Sequence, residues 1–138
     1  KYTHNDIQKH IRSGHLPTYN KVKKVEYDGI IFDSLSECKY FQFLKQQQEK
    51  GLVKSFEMQK AYTLMDKYRH PTTGKAIRAI TYKPDFEVTY PDGSIEVIDI
   101  KGFQTEVFKI KMKLFMSRYK VPLILIKYDH RRGTFKEI

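Results

Sequence analysis

Apolar and polar residues alternate on either side of Tyr90-Pro91-Asp92-Gly93, where Phe86, Val88, Ile98 and Ile100 are interleaved with Asp85, Glu87, Asp99 and Lys101. A period of two predicts a pair of strands. Pro at the first central position, and a Gly able to turn left-handed, predict a type I turn closing a three-residue hairpin in which Tyr90 pairs with Ser94. In that register Asp85 faces Asp99 and Lys83 faces Lys101 across the ladder, all on one face.

Elsewhere the period lengthens. From Leu35 to about Lys50 the spacing of Glu37, Phe41, Leu44 and Gln48 predicts a helix, stopped by Gly51. A second helix is expected from about Thr105 to Tyr119, with two apolar stripes: Phe108, Met112, Phe115 and Tyr119 on one, Val107, Ile110 and Leu114 on the other. Lys109, Lys113 and Lys120 lie between them, and Lys111 with Arg118 fills the opposite gap. One stripe should cover a sheet; the other either meets a second subunit, making a homodimer, or belongs to a broad buried face whose lysines snorkel.

Shorter signals complete the outline. Two alternating runs between Lys23 and Phe32 flank Asp28-Gly29, a two-residue hairpin signal. Leu52 to Leu64 reads as one or two strands with Gln59 near the middle, and Asp66 to Ala76, containing Pro71-Thr72-Thr73-Gly74, reads as a polar loop. Val121 to Lys127 is a continuous apolar run, expected to be a buried strand, followed by a basic turn at His130-Arg131-Arg132-Gly133. Residues 1–20 form a candidate arm, with a helix start at Thr3-His4-Asn5-Asp6 and a stop at Ser13-Gly14; residues 21–138 are expected to form one domain. His4, His10 and His15 in the arm lack ligand-spaced carboxylates or cysteines and read as surface or phosphate-contacting groups.

The chemistry begins with the opposed aspartates. Two like charges facing each other are destabilising unless a cation lies between them, so the register asks either for a metal ion or for Lys101, two residues on and on the same face. Oxygen ligands favour Mg2+ or Mn2+ over zinc, with waters and phosphate oxygens completing the shell. Lys101 would orient or deprotonate a water, or stabilise charge growing on a phosphate; the residue pattern does not separate these roles. The bland alternative is a hairpin whose Asp85, Glu87, Asp99 and Lys101 face solvent. Glu37 projects from the apolar stripe of its helix as a third carboxylate, yet Ser34-Leu35-Ser36-Glu37 also reads as a capping box, and both roles can coexist.

A helix bearing Glu, a strand, a hairpin with Pro-Asp and Asp-x-Lys, a helix and a last strand together resemble the PD-(D/E)XK nuclease superfamily. Glu37, Asp85, Asp99 and Lys101 fall on the positions of that pattern, with Asp99 where many relatives carry Glu. Within it, three stretches are most similar to a phage-encoded group catalogued as a domain of unknown function and related to phage Holliday junction resolvases and transposon-end endonucleases. These are Tyr27 to Ser34, Tyr82-Lys83-Pro84-Asp85-Phe86 and Asp99 to Thr105, and the likeness runs from about Asn20 to Lys127. The resemblance implies an α/β, restriction-endonuclease-like core in which helix, three strands, helix and strand build a central mixed sheet flanked by helices, preceded by an arm and a small hairpin. It further implies a DNA endonuclease using Mg2+, for which Mn2+ substitutes, held by Asp85, Asp99 and the Ile100 carbonyl with Glu37 nearby. Some relatives place a Gln near the metal, which makes Gln59 a second-tier candidate, although a buried Gln would equally serve a backbone hydrogen bond.

Charge points the same way. Twenty-six Lys and Arg against 16 Asp and Glu leave a formal net charge of +10, which suits a polyanionic partner, though it also serves solubility. Lys67, Arg69 and Lys75 in the polar loop, together with Lys83, Lys109 and Lys113, are the candidate DNA contacts. No basic amphipathic helix offers a membrane-inserting face, no run approaches the roughly 18 apolar residues of a span, and no signal peptide is visible, so a cytoplasmic location is expected, in a bacterial host if the gene is phage-encoded. With 9 Phe, 10 Tyr and 40% hydrophobic residues the chain can bury one core. Cys38, the one cysteine, excludes an intrachain disulfide and reads as a packed residue. The expected function is metal-dependent hydrolysis of DNA phosphodiesters, with branched DNA favoured on likeness. The rivals are an endonuclease of duplex DNA without branch preference and a nucleic-acid-binding module without turnover.

Overall fold

The computed structural model describes residues 24–138; the arm expected over residues 1–20, with its three histidines, lies outside them. The chain divides into two compact units, Lys1–Lys45 and Gln46–Ile138.

In the first unit, β1 (Val25–Tyr27) and β2 (Ile30–Phe32) form the expected hairpin, with Val25 opposite Phe32. Asp28 and Gly29 both take positive φ, 53° and 74°, as a two-residue turn matched to strand twist requires. Helix α1 (Leu35–Glu49) starts in this unit, where Ser34 Oγ accepts the Glu37 N–H at 3.1 Å, one half of the capping box. Cys38, Tyr40, Phe41 and Leu44 are its buried residues, and the Phe32 and Phe41 rings pack 5.2 Å apart.

The second unit holds the end of α1, where a Schellman arrangement closes the helix: Leu52 N–H bonds Gln47 O at 2.9 Å and Gly51 N–H bonds Gln48 O at 3.1 Å, with Gly51 at φ 76°. Gln48, expected on the apolar stripe, is exposed, and its amide donates to Lys54 O instead. Beyond it come β3 (Ser55–Met58), β4 (Tyr62–Met65), β5 (Tyr68–Arg69), β6 (Ala76–Ile77), β7 (Ile80–Tyr82), β8 (Phe86–Thr89), β9 (Ile95–Ile100), α2 (Glu106–Tyr119), β10 (Leu123–Asp129) and β11 (Thr134–Glu137). One mixed five-stranded sheet runs β11-β10-β9-β8-β3; β9 and β10 are parallel and joined through α2, while the other pairs are antiparallel. The fold is therefore mixed α/β.

Helix α2 is set by its ends. Thr105 Oγ1 accepts the Phe108 N–H at 3.0 Å, and Lys120 caps the far end with φ 55°. Its Phe108 and Phe115 are buried with Val97 and Leu125 of the sheet and with Tyr62, Leu64 and Tyr82 from the β4–β7 hairpin. Tyr119 Oη donates to Thr63 O at 2.8 Å, tying that hairpin to the helix. The second stripe, Val107, Ile110 and Leu114, is exposed, so the broad buried face is not what this helix has.

Three expectations change. Asp66 to Ala76 is no simple loop: β5 and β6 pair within it, Tyr68 opposite Ile77, and His70 Nδ1 accepts the Thr72 and Thr73 amides to hold the turn. The strand expected at Val121 to Lys127 is shifted to Leu123–Asp129 and is only half buried, Leu125 alone being fully covered, because its Ile124 and Ile126 keep partial access. It is also not the last strand, since the basic turn returns the chain as β11, a short polar segment without a strong apolar alternation. Among the described residues no helix is long and apolar enough to cross a membrane.

Candidate active site

The β8–β9 turn forms as its residues require. Tyr90 N–H bonds Ser94 O and Gly93 N–H bonds Tyr90 O, each at 2.9 Å, with Gly93 at φ 88°. Asp92 Oδ1 accepts both the amide and the hydroxyl of Ser94, which holds the Asp92 carboxyl below the usual carboxylate range. The turn fixes the ladder with Phe86 opposite Ile98 and Thr89 opposite Ile95. Carried one step further, that register sets Asp85 opposite Asp99, as the sequence predicts.

The face that carries them is not solvated. Asp85 and Glu87 are each 9% exposed and Asp99 is 2% exposed, so the solvent-facing alternative is wrong for these three side chains. The reason is tertiary: α2 and the β4–β7 hairpin cover this side of the sheet. Asp85 Oδ2 accepts the Ile100 N–H at 2.7 Å, and Oδ1 accepts Gln59 Nε2 at 3.3 Å. Gln59 sits between β3 and β4 at φ 55° and also gives its own N–H to Asp85 O at 3.3 Å. It is an exposed residue, so the alternative of a buried Gln serving the backbone does not apply, and both of these bonds go to Asp85. Asp99 Oδ2 accepts from the Tyr82 hydroxyl and lies 3.6 Å from Lys101 Nζ. Burial, followed by the negative charge of Asp99, pushes the Tyr82 phenol far above its ordinary value, so it stays protonated and donating. Lys101 Nζ stands 4.3 Å from the centroid of the Phe108 ring, a cation–π contact that fixes its direction.

A second carboxylate cluster was missed from the sequence. Glu87, two residues from Asp85 on the same face, accepts from the Tyr62 hydroxyl and lies 3.0 Å from Lys60 Nζ. That hydrogen bond to Glu87 raises the Lys60 amine above its ordinary value. The period of two already places Glu87 beside Asp85; nothing local foretells Lys60 or Tyr62, which arrive from the β3–β4 region.

Beside Asp99 a cleft of about 390 Å³ is lined by Thr81, Tyr82, Lys83, Lys101, Thr105, Val107, Phe108 and Lys111. Lys83 is thus brought to the candidate site, and Lys111 joins it unforeseen. Lys67 and Arg69 instead line a separate cleft of about 380 Å³ on the β5–β6 hairpin with Arg78, and Lys75 lies in its turn. Lys109 pairs with Glu106 at 3.2 Å, and Lys113 is exposed on α2. Glu37 belongs to the first unit.

Among the described residues no three His, Cys, Asp or Glu side chains converge as a metal cluster. The oxygen donors at hand are the carboxylates of Asp85 and Asp99, and the Ile100 main chain meets Asp85 through its N–H. All-oxygen donors of this number fit Mg2+, which commonly takes one or two protein carboxylates and fills its octahedron with water and phosphate.

A family model matches residues 18–129, which is most of the chain. The chain belongs to the family described as "Protein of unknown function (DUF1064)". The matched span contains Glu37, Gln59, Asp85, Glu87, Asp99 and Lys101, so both carboxylate clusters lie within the part that defines the family. No curated protein matches the chain.

Proposed function

We propose that this DUF1064 protein is a divalent-metal-dependent DNA endonuclease, with branched DNA as its favoured substrate. The observation that carries the reading is the burial of Asp85 and Asp99, one step beyond the paired Phe86 and Ile98, with Lys101 3.6 Å from Asp99 and a lysine-lined cleft alongside. The order α1, β3, β8, β9, α2, β10 supports a restriction-endonuclease-like core, and the net charge of +10 supports a polyanionic substrate. Branch preference, a phage origin with a cytoplasmic site of action, and Glu37 as a third carboxylate rest on the sequence resemblance. A homodimer would use the exposed Val107, Ile110 and Leu114 stripe.

In this reading Asp85, Asp99 and the Ile100 carbonyl hold Mg2+, or Mn2+ in its place. The ion supplies Lewis-acid stabilisation of the phosphoryl oxygens and makes water a better nucleophile near neutral pH. The protein's own residues do the rest. The Ile100 amide and Gln59 orient the Asp85 carboxylate, and the Tyr82 hydroxyl orients that of Asp99. Lys101, steered by Phe108, presents its ammonium to the phosphate, where it offsets charge growing in the transition state.

The test is cleavage of a labelled four-way junction, a matched duplex and a single strand by wild-type and Asp99→Ala protein, in Mg2+, Mn2+ or EDTA. Ion-dependent junction cutting that the variant loses is the expected result. Equal cutting of duplex and junction would remove branch preference, and an active Asp99→Ala protein would refute the site. Binding in EDTA with no cutting of any substrate in either ion would favour a binding module.

A further inference from the structure

Like charges gather beside the Asp85 and Asp99 pair. The ladder ends at Phe86 opposite Ile98, and beyond it Lys83 and Lys101 both line the 390 Å³ cleft, where Lys111 of α2 adds a third ammonium from a different element. Ammonium groups gathered in one cleft repel one another and are stabilised by an anion. Asp99 offsets Lys101 in part, at 3.6 Å, but neither Lys83 nor Lys111 has an ion pair among the described residues. Two hydroxyls, Thr81 and Thr105, line the same cleft. Thr105 Oγ1 uses a lone pair to cap α2, which leaves its proton to donate. Ammonium groups and hydroxyl donors around a space of this size are the chemistry of a phosphate subsite.

We infer that Lys83 and Lys111, in the cleft beside Lys101, bind one backbone phosphate of a DNA strand, next to the phosphate presented to Asp85, Asp99 and Lys101. The inference rests on the proposed function for the identity of the polyanion. Lys83 and Lys111 act on the same phosphate, from different elements lining the cleft, while the lysines and arginines of the β5–β6 hairpin act elsewhere. Their role is in binding and alignment, so it is read without turnover.

The experiment measures anisotropy of a labelled four-way junction with the full chain in EDTA, over a range of salt. The proteins are wild type, Lys83→Gln, Lys111→Gln, the double variant, and Lys127→Gln as a charge-matched change on β10. A shared phosphate predicts that each single cleft variant weakens binding more than Lys127→Gln does. It also predicts that the double variant loses about 0.9 in the slope of log K against log salt, the value of one duplex phosphate. Additive losses reaching about 1.8 would mean two separate phosphates and overturn the shared subsite, as would single variants no weaker than Lys127→Gln. Cleavage in Mg2+ is scored separately: intact coupling without any cleavage would refute the hydrolase and support the subsite, whereas cleavage with no coupling would do the reverse.

Discussion

Two carboxylates on one sheet face, Glu87 and Asp99, are built from the same parts to different ends. Each is buried, each accepts from a tyrosine of the β4–β7 hairpin, Tyr62 or Tyr82, and each has a lysine at hand. Around Glu87 the ammonium is close and the second carboxylate lies in solvent: Lys60 Nζ is 3.0 Å from Glu87 and 4.0 Å from Glu57, whose side chain is 67% exposed, while the tyrosine ring continues into the core against Phe115, with centroids 4.9 Å apart. Around Asp99 the second carboxylate, Asp85, is buried as well. The lysine is farther off at 3.6 Å, and the space beside it is an open cleft. The first is the construction of a structural tie, since satisfied buried polar groups hold elements in place. The second borders a lysine-lined cleft with room for a bound group. Residue type and burial are therefore poor guides to function here, and the surroundings of each carboxylate, core on one side and open cleft on the other, are the better one.

The largest effects should separate the two clusters by activity. Asp99→Asn and Lys101→Ala are each expected to lower cleavage by about 10²–10³-fold or more, the scale of losing a transition-state charge partner, in single-turnover assays with Mg2+. Lys60→Met should keep cleavage within a few-fold of wild type; a loss as deep as that of Asp99→Asn would collapse the distinction. Stability should then order the other way. Glu87→Ala leaves the buried Tyr62 hydroxyl without its acceptor and Lys60 with only Glu57, at 4.0 Å, and should cost about 1–3 kcal/mol by denaturant titration. Asp99→Asn, in EDTA, keeps an acceptor for Tyr82 while removing the opposed charge, and should stabilise by about 0.2–1 kcal/mol. A destabilised Asp99→Asn protein would mean that the aspartate pair is not strained by its own charge.

Both clusters predict a falling stability at alkaline pH. Tyr82, raised by burial and Asp99, and Lys60, raised by its bond to Glu87, hold their protons more tightly folded than unfolded. Their contributions are whole below the unfolded values of about 10 and 10.4 and are lost as pH climbs past these toward the folded ones. Tyr82→Phe should flatten the decline more than Lys60→Met, because the Lys60 side chain is 44% exposed and solvent screens its pairing. Equal flattening, measured as unfolding free energy from pH 8 to 11, would count against the buried Tyr82–Asp99 bond. The smallest effects belong to the β5–β6 hairpin. Lys67→Ala, Arg69→Ala and Lys75→Ala should each leave fold and turnover unchanged and reduce the salt slope of DNA binding by about 0.9 where a phosphate contact is lost.

The amino-acid sequence by itself determined what depends on neighbours along the chain. Asp28-Gly29 and Tyr90-Pro91-Asp92-Gly93 encode their turns in backbone preferences, Ser34, Gly51 and Thr105 mark helix ends, and the second turn alone sets the strand register on which Asp85 meets Asp99. The Phe108 and Phe115 stripe of α2 is likewise legible from its spacing. Only the tertiary structure decided whether the carboxylate face would be wet or buried, because alternation reads the same for a solvated face and for one roofed by a distant helix and hairpin. It also decided which groups would meet Glu87, which lysine of α2 would reach the cleft, and that Gln59 would bond Asp85 from a left-handed turn. These are contacts between residues far apart in sequence, and local propensity carries no information about which partner burial will bring.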